Sequence, residues 1–586
     1  MFYLYIAGWN YPETTLLGQT MKKFEFIYYS LLSVLIISGC INTTLAQPKI
    51  TVDEAKQLVE KTVLLTDREI YCVNEDVLFS AFNVSIPAMR TAEWSNVLYI
   101  ELISPHGESF ARRKYTYNEV GTTGTLRIPN NVLTGNYYLR AYTRWMRDYS
   151  PYSYFYKMIR VINPFRAELL ESTGNTVIVE SEIKSTFDNS TDFLLKAERK
   201  IYKKREMVNL EVSVSNADGL ADKFVLSVIP KGTDTQLIPD LTILQELKYT
   251  PDYIPETRGL SISGKVVNEV DSLPLPYTLV GLTIFKEIPE NRNILTNEKG
   301  QFFFDLSQLE GEFEVFISAK SKGNQAPMIL IDNDFSTEKI ELPFVKVDLS
   351  EESKKLYQRL SFNSQMQELY QQQKVEDELN SFQSDSSFYG KPDFVLRMKD
   401  YIALPSIKDY IYELLPQVGI RHDSKKTILK VLGAYSDLTV HDPLVLVDMV
   451  PIFDIDRVLA VQPDKIERIE VVSIPYVRGD IVFGGIVSMF SKKGDLAGID
   501  LPSTGRFLNY NMLNTVSTQV APVLEDHRIP DLRNYLYWNP DLKLNGTEPA
   551  KISFKAGDSS GDYLIVVRGI DKTGKVKMAT SEITVK

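Results

Sequence analysis

Side chains that switch between apolar and polar every second residue constrain this chain most, because only a strand with one buried face reads that way. In "TDREIYCVNEDVLFSAFNVS" (Thr66 to Ser85), Val77, Phe79 and Ala81 alternate with Leu78, Ser80 and Phe82. Tyr137, Leu139, Ala141 and Thr143 fall on one face of a strand, and Tyr138, Arg140, Tyr142 and Arg144 on the other. Leu210, Val212 and Val214, then Phe302, Phe304 and Leu306, then Tyr563, Ile565 and Val567, repeat the pattern. The 32 Tyr and 28 Phe agree with it, since strands favour aromatic residues. A chain of 586 residues has room for several domains of about 100–150 residues. The expected fold is therefore mainly β and multidomain: tandem β-sandwiches, a small α/β domain and a helical linker.

Charge and motifs exclude several functions. The formal net charge is −11, which disfavours nucleic acid, a partner gripped through basic surface. Two Cys, Cys40 and Cys72, make no disulfide framework, and four scattered His show no metal-ligand spacing. No GxSxG elbow, HExxH pair or phosphate-binding P-loop occurs, so no catalytic residue, cofactor site or metal site is expected. Cys72 is expected to be a small buried hydrophobe.

The N-terminal stretch reads as an address. From Met21, "MKKFEFIYYSLLSVLIISGC" has a basic start and an apolar run too short for a membrane span, the form of a signal peptide. Met21 is the expected true start, with residues 1–20 an upstream extension. Ile37-Ser38-Gly39-Cys40 resembles a bacterial lipobox, which makes Cys40 the candidate lipidation site. Thr44-Leu45-Ala46 before Gln47 is the competing cleavage site.

Several segments resemble known modules. Thr66, Asp67, Tyr71, Glu75 and Val77 match the opening phrase of the macroglobulin-like β-sandwich, with Asn74 where that family prefers Gly. Asn keeps a left-handed turn possible there. Tyr202, Glu206, Val208 and Leu210 repeat the phrase, and Asp218-Gly219 suits a hairpin turn. "GLSISGKVV" with "TNEKGQFFFDL" resembles the carboxypeptidase-regulatory-like sandwich, a module without catalytic residues of its own. Residues 349–382 lack Gly and Pro and read as a helix with Ser350 as N-cap.

From "MKDYIALPSIKDYIYELLPQVGIR" to "VFGGIVSMFSKKGD" the order of elements resembles the plug of TonB-dependent outer-membrane transporters. Ser406 caps a helix that Pro416 stops and Gly419 turns. Leu444 to Val447 reads as a strand buried on both faces. Asp448 sets a turn, followed by Pro451; Asp454 caps a short helix; Gly484 and Gly485 open the last strand. Asp448, Pro451, Gly484 and Gly485 are thus the structural turn and plug-motif residues. The family has Gly after this Asp, and here Met449 stands there, so a turn type without positive φ is expected. Only 91 residues (586 − 495) follow Asp495, whereas a 22-stranded barrel needs more than about 200. The plug-like segment is therefore expected to lack a barrel of its own.

These readings divide the chain into 1–46 (extension and signal peptide), 47–168 and 169–256 (two macroglobulin-like sandwiches) and 257–346 (carboxypeptidase-regulatory-like sandwich). Then follow 347–392 (helical linker), 393–500 (plug-like domain) and 501–586 (C-terminal β-sandwich). The expected function is that of a non-catalytic scaffold or binding protein of a Bacteroidetes-like cell envelope. It would lie at the outer membrane, on the periplasmic side, tethered by lipid if Cys40 is acylated. Its partner would be an outer-membrane or periplasmic protein such as a TonB-dependent transporter. A macroglobulin-like protease inhibitor is the alternative, although the thioester phrase GCGEQ is absent, as is an enzyme with an unrecognised site.

Overall fold

Two sheets enclose the first core. In a computed structural model, Thr62–Thr66, Asp76–Asn83 and Gly121–Arg127 form an antiparallel sheet. The sheet facing it runs Ile70–Cys72, Phe155–Ile162, Gly135–Tyr142, Val97–Ile103, Ser109–Thr116. The structure describes residues 60–586 except 85–93, 150, 173–191, 215–219, 235–249, 251, 287–288, 307–308, 321–325, 372–388, 424–425, 434–438, 479–480, 500–504, 517–528, 545–547 and 572–573. Met21, Cys40, Gln47 and the Asp218-Gly219 turn lie outside the described residues. The period of two holds: Val77, Phe79 and Ala81 meet Tyr137, Leu139 and Ala141 in one core. The opposite face of the 76–83 strand is also covered, with Phe82 packed against Val225, Trp538 and Ile570.

The second sandwich corrects the expected domain plan. Its small sheet is Phe193–Ala197, Met207–Val214 and Ala550–Lys555. Its large sheet runs Ile201–Tyr202, Val576–Val585, Gly561–Asp571, Leu220–Pro230, Tyr537–Leu542. Residues expected as separate sandwiches at 169–256 and 501–586 thus supply two halves of one fold. Val208, Leu210 and Val212 share a core with Tyr563, Ile565 and Val567. Alternation shows which face of a strand is buried but not which distant strand covers it. Trp538-Asn539-Pro540 lies within the Tyr537–Leu542 strand.

In the third sandwich, Ser261–Asn268 lies between Gln301–Asp305 and Pro327–Ile331. The other sheet runs Glu290–Leu295, Leu279–Phe285, Glu312–Ala319, Gly505–Asn511. The last strand comes from the expected C-terminal unit and pairs along Glu312–Ala319 over seven positions. Asn297 to Gly300 form a turn, with the Gly300 amide donating to the Asn297 carbonyl at 2.9 Å.

The α/β module has a mixed sheet ordered Phe394–Arg397, Ile466–Val472, Ile486–Ser491, Leu444–Val447, Val450–Pro451. Leu444–Val447 is buried throughout and runs parallel to Ile486–Ser491. Helix α1 is Glu351–Gln371, α2 is Ile407–Leu414 and α3 is Ile455–Leu459. Ser350 accepts the Ser353 amide at 3.4 Å, and Ser406 accepts that of Asp409 at 3.3 Å, so both N-caps form. Asp454 precedes α3 without a cap bond and accepts from Arg457 Nε at 3.2 Å instead. Gly419 is not a turn; it sits in Val418–Asp423, paired with Lys430.

The Asp448-Met449 turn contradicts expectation. Both residues have positive φ, 47° and 67°, so the two-residue hairpin adopts the primed geometry that fits strand twist. Such φ costs a non-glycine residue on the order of 1–2 kcal/mol. Burial offsets it: Met449 is only 4% exposed, and its carbonyl accepts from Thr283 Oγ1 of the third sandwich at 3.3 Å. Met449→Gly is therefore expected to destabilise, by about 1 kcal/mol in denaturant titration. The lost side-chain burial, about 2–3 kcal/mol with its cavity, exceeds the relieved strain.

Candidate functional site

The four plug-motif residues are structural and are not gathered into one site. The Asp448 carboxylate accepts from Ser491 N (2.6 Å), Ser491 Oγ (2.6 Å) and Leu496 N (2.8 Å), fastening the loop after the last strand. Pro451 abuts the third sandwich: a Cβ on Gly281 would sit 3.0 Å from Pro451 Cγ. At the other end of the module, the Gly484 amide donates to the Asp442 carbonyl at 3.0 Å. Gly485 has φ 96°, and a Cβ there would lie 2.6 Å from the Val472 carbonyl oxygen, so only Gly fits.

The macroglobulin-like phrase builds the first notable cluster. Strand Ile70–Cys72 and the turn after it place Tyr71 and Glu75 beside Asp67 and Arg68. Arg68, 2% exposed, bridges Asp67 Oδ2 at 2.6 Å and Glu75 Oε2 at 2.7 Å. Tyr71 donates to Asp67 Oδ1 at 2.7 Å, and Arg68 lies 4.3 Å over the Tyr71 ring. Burial raises the Asp67 carboxyl while Arg68 pulls it back down. For Arg68, burial lowers the guanidinium, but the Glu75 and Asp67 charges outweigh it and the net shift is upward. Asn534 extends this cluster to other units, donating to Glu75 Oε1 at 2.7 Å and to the Leu360 carbonyl of α1 at 2.9 Å. The motif thus joins the first sandwich, the second and α1. Cys72 is buried as expected, its thiol pushed far up by burial and by Glu75.

A second polar cluster joins the first and third sandwiches. Arg140, on the strand face opposite the first core, and Arg144, which lies in the turn beyond the strand's end at Tyr142 and not on the strand as expected, enter this junction. Glu101, fully buried, accepts from Arg140 Nε at 2.8 Å and Tyr142 at 2.6 Å; Arg140 also donates to the Ser336 carbonyl at 3.0 Å. Glu256, 1% exposed, accepts from Tyr99 at 2.8 Å and Ser261 Oγ at 2.6 Å, with Arg144 at 4.0 Å. Burial raises its carboxyl, and Arg144 opposes the rise. Tyr142 stacks on Tyr154 at 4.3 Å and on Tyr99 at 5.6 Å. The arginines at 140, 144 and 147 interleaved with tyrosine were the available sequence signal for this face. Nothing in the sequence pointed to Glu101 or Glu256 as their partners.

Asp148 closes the same junction. Its Oδ1 accepts the amides of Asp252 and Tyr253, each at 2.9 Å, while Oδ2 is buried without a hydrogen bond among the described residues. Burial raises its pKa from 3.8 to about 6, against the pull of the two amides and of Arg147 and with a smaller push from Asp252. The folded state therefore binds this proton more readily than the unfolded chain. Its contribution to stability is fully present below pH 3.8 and is lost as pH rises through about 6. From pH 7 to 5 the wild type is expected to gain melting temperature relative to Asp148→Asn; parallel profiles would refute this.

Where α1 meets the first sandwich, a cleft of about 570 Å³ is lined by Asn74, Asn130, Phe165, Arg166, Gln365, Glu368 and Leu369. Asn74 has φ 63°, the left-handed turn expected of it. Among the described residues no group of three or more His, Cys, Asp or Glu could hold a metal, and no helix is long and apolar enough to cross a membrane.

No family model matches the sequence, and no curated protein does. Solved structures similar to it include Salmonella alpha-2-macroglobulin reacted with methylamine, at 9% identity and TM-score 0.22, covering 90% of this chain and 39% of that one. The native conformation of E. coli alpha-2-macroglobulin gives 9% and 0.22, covering 90% and 40%. Dimeric latent PorU from Porphyromonas gingivalis gives 12% and 0.16, covering 50% and 34%. The chain spans about two-fifths of the length of these macroglobulins.

Proposed function

We propose that the chain is a non-catalytic scaffold or binding protein of the cell envelope. It is held at the periplasmic side of an outer membrane through Cys40, and its partner is a β-rich assembly such as a TonB-dependent transporter. One observation supports this reading above others. The buried charged groups sit at joints between units: Arg68, Asp67 and Glu75 at one, Arg140, Glu101, Arg144 and Glu256 at another. Arg144 faces Glu256 across one joint at 4.0 Å, and Asn534 and the Ser336 carbonyl reach across to Glu75 and Arg140, so separating the units would leave buried polar groups unpaired. A frame fixed in this way holds a presented module steady, and the α/β module rests on it through Thr283 and Gly281.

Affinity purification of the native protein from outer-membrane extract, read by mass spectrometry, tests the proposal. One envelope protein is expected in near-equal amount, and recovery of abundant contaminants alone would count against a scaffold. The N-terminal peptide should begin at an acylated Cys40; a start at Gln47 removes the anchor.

A further inference from the structure

We propose that the cleft between α1 and the first sandwich binds a neutral saccharide. This goes beyond the scaffold reading, which survives without it. The volume, about 570 Å³, lies within the range of small-ligand sites. Asn74, Asn130 and Gln365 offer primary amides, each with donors and an acceptor side by side, the pattern that neighbouring hydroxyls require. Glu368 adds a carboxylate and Arg166 a guanidinium, so the formal charges cancel and a charged ligand gains little. Phe165 and Leu369, 60% and 62% exposed, line the same cleft. Single exposed apolar residues are ordinary, but two on one amide-rich cleft give a platform for the C–H face of a sugar ring.

The walls are held in place. Asn163, 3% exposed, donates to the carbonyls of Asn130 at 3.0 Å and Val132 at 2.6 Å, and accepts the Phe165 amide at 2.9 Å. The Asn74 amide nitrogen donates to the Ile128 carbonyl at 2.9 Å, fixing the turn. The side chain of Asn74 reaches Glu368 at 3.4 and 3.5 Å, long bonds that a ligand hydroxyl can replace. The lining comes from turns and a helix, with no strand among them, so no sheet edge is offered for adding an extended peptide.

The full chain should be titrated with cellotriose, maltotriose and chitotriose by saturation-transfer NMR and calorimetry. At least one is expected to bind, with Phe165→Ala and Gln365→Ala each weakening it about tenfold or more. Both variants should keep the wild-type melting temperature. The proposal falls if none of the three shows transfer at about 10 mM, a level that detects even weak sites. It also falls if binding persists unchanged in Phe165→Ala, or if the cleft takes an extended peptide in place of the sugars.

Discussion

Replacing Arg68 with alanine should lower folding stability by about 3–5 kcal/mol, the scale of stranding a partner in a buried ion pair. Asp67 is fully buried and Glu75 nearly so, and both lean on this one guanidinium. Without it the Asp67 carboxyl would shift further upward, so the deficit should shrink on acidification as Asp67 takes up a proton. Arg68→Ala combined with Asp67→Asn and Glu75→Gln should recover part of the loss, since no charge is then left unpaired. Denaturant titrations of the three proteins at pH 7 and pH 5 measure this. A deficit below about 1 kcal/mol, the scale of an exposed pair, would mean that the buried cluster contributes no more than a surface ion pair.

Glu101→Ala should cost a similar amount at the other joint, about 3–5 kcal/mol. The carboxylate is fully buried and serves Arg140, itself 1% exposed, together with Tyr142 and the more exposed Arg112. Its removal leaves the Arg140 charge in the interior without a carboxylate, bonded to the neutral Ser336 carbonyl. Glu101→Gln keeps the volume and the acceptor for Tyr142, and should lose less. The two glutamate variants should separate by more than about 1 kcal/mol; equal losses would show that packing, not charge, governs this cluster.

Local features were legible in the sequence and long-range ones were not. The strand faces at 77–81, 137–141 and 563–567 follow from the period of two, and the caps at Ser350 and Ser406 from the chemistry of a helix start. Asn74 stands in the left-handed turn its side chain tolerates. The sequence could not show that Leu220–Pro230 lies between Gly561–Asp571 and Tyr537–Leu542, because pairing across more than 300 residues leaves no local trace. The same limit hid Asn534, whose side-chain bonds join three units. Met449 misled for a different reason. Turn chemistry argued against positive φ, and tertiary burial of its side chain overrode that preference. The cleft was illegible because its lining comes from four separate stretches, none of them unusual alone.

Splitting the chain within 517–528 tests most directly whether a single closed frame is formed. Residues 529–586 would hold the strands Tyr537–Leu542, Ala550–Lys555, Gly561–Asp571 and Val576–Val585, but not Leu220–Pro230, which joins two of them, nor Met207–Val214, which pairs the third. Expressed alone, this segment should show no slow amide exchange. Mixed with the remainder of the chain, it should form a one-to-one complex with slow exchange along Gly561–Asp571. Slow exchange in the isolated segment as a folded monomer would contradict the shared sandwich and return the C-terminus to an independent domain.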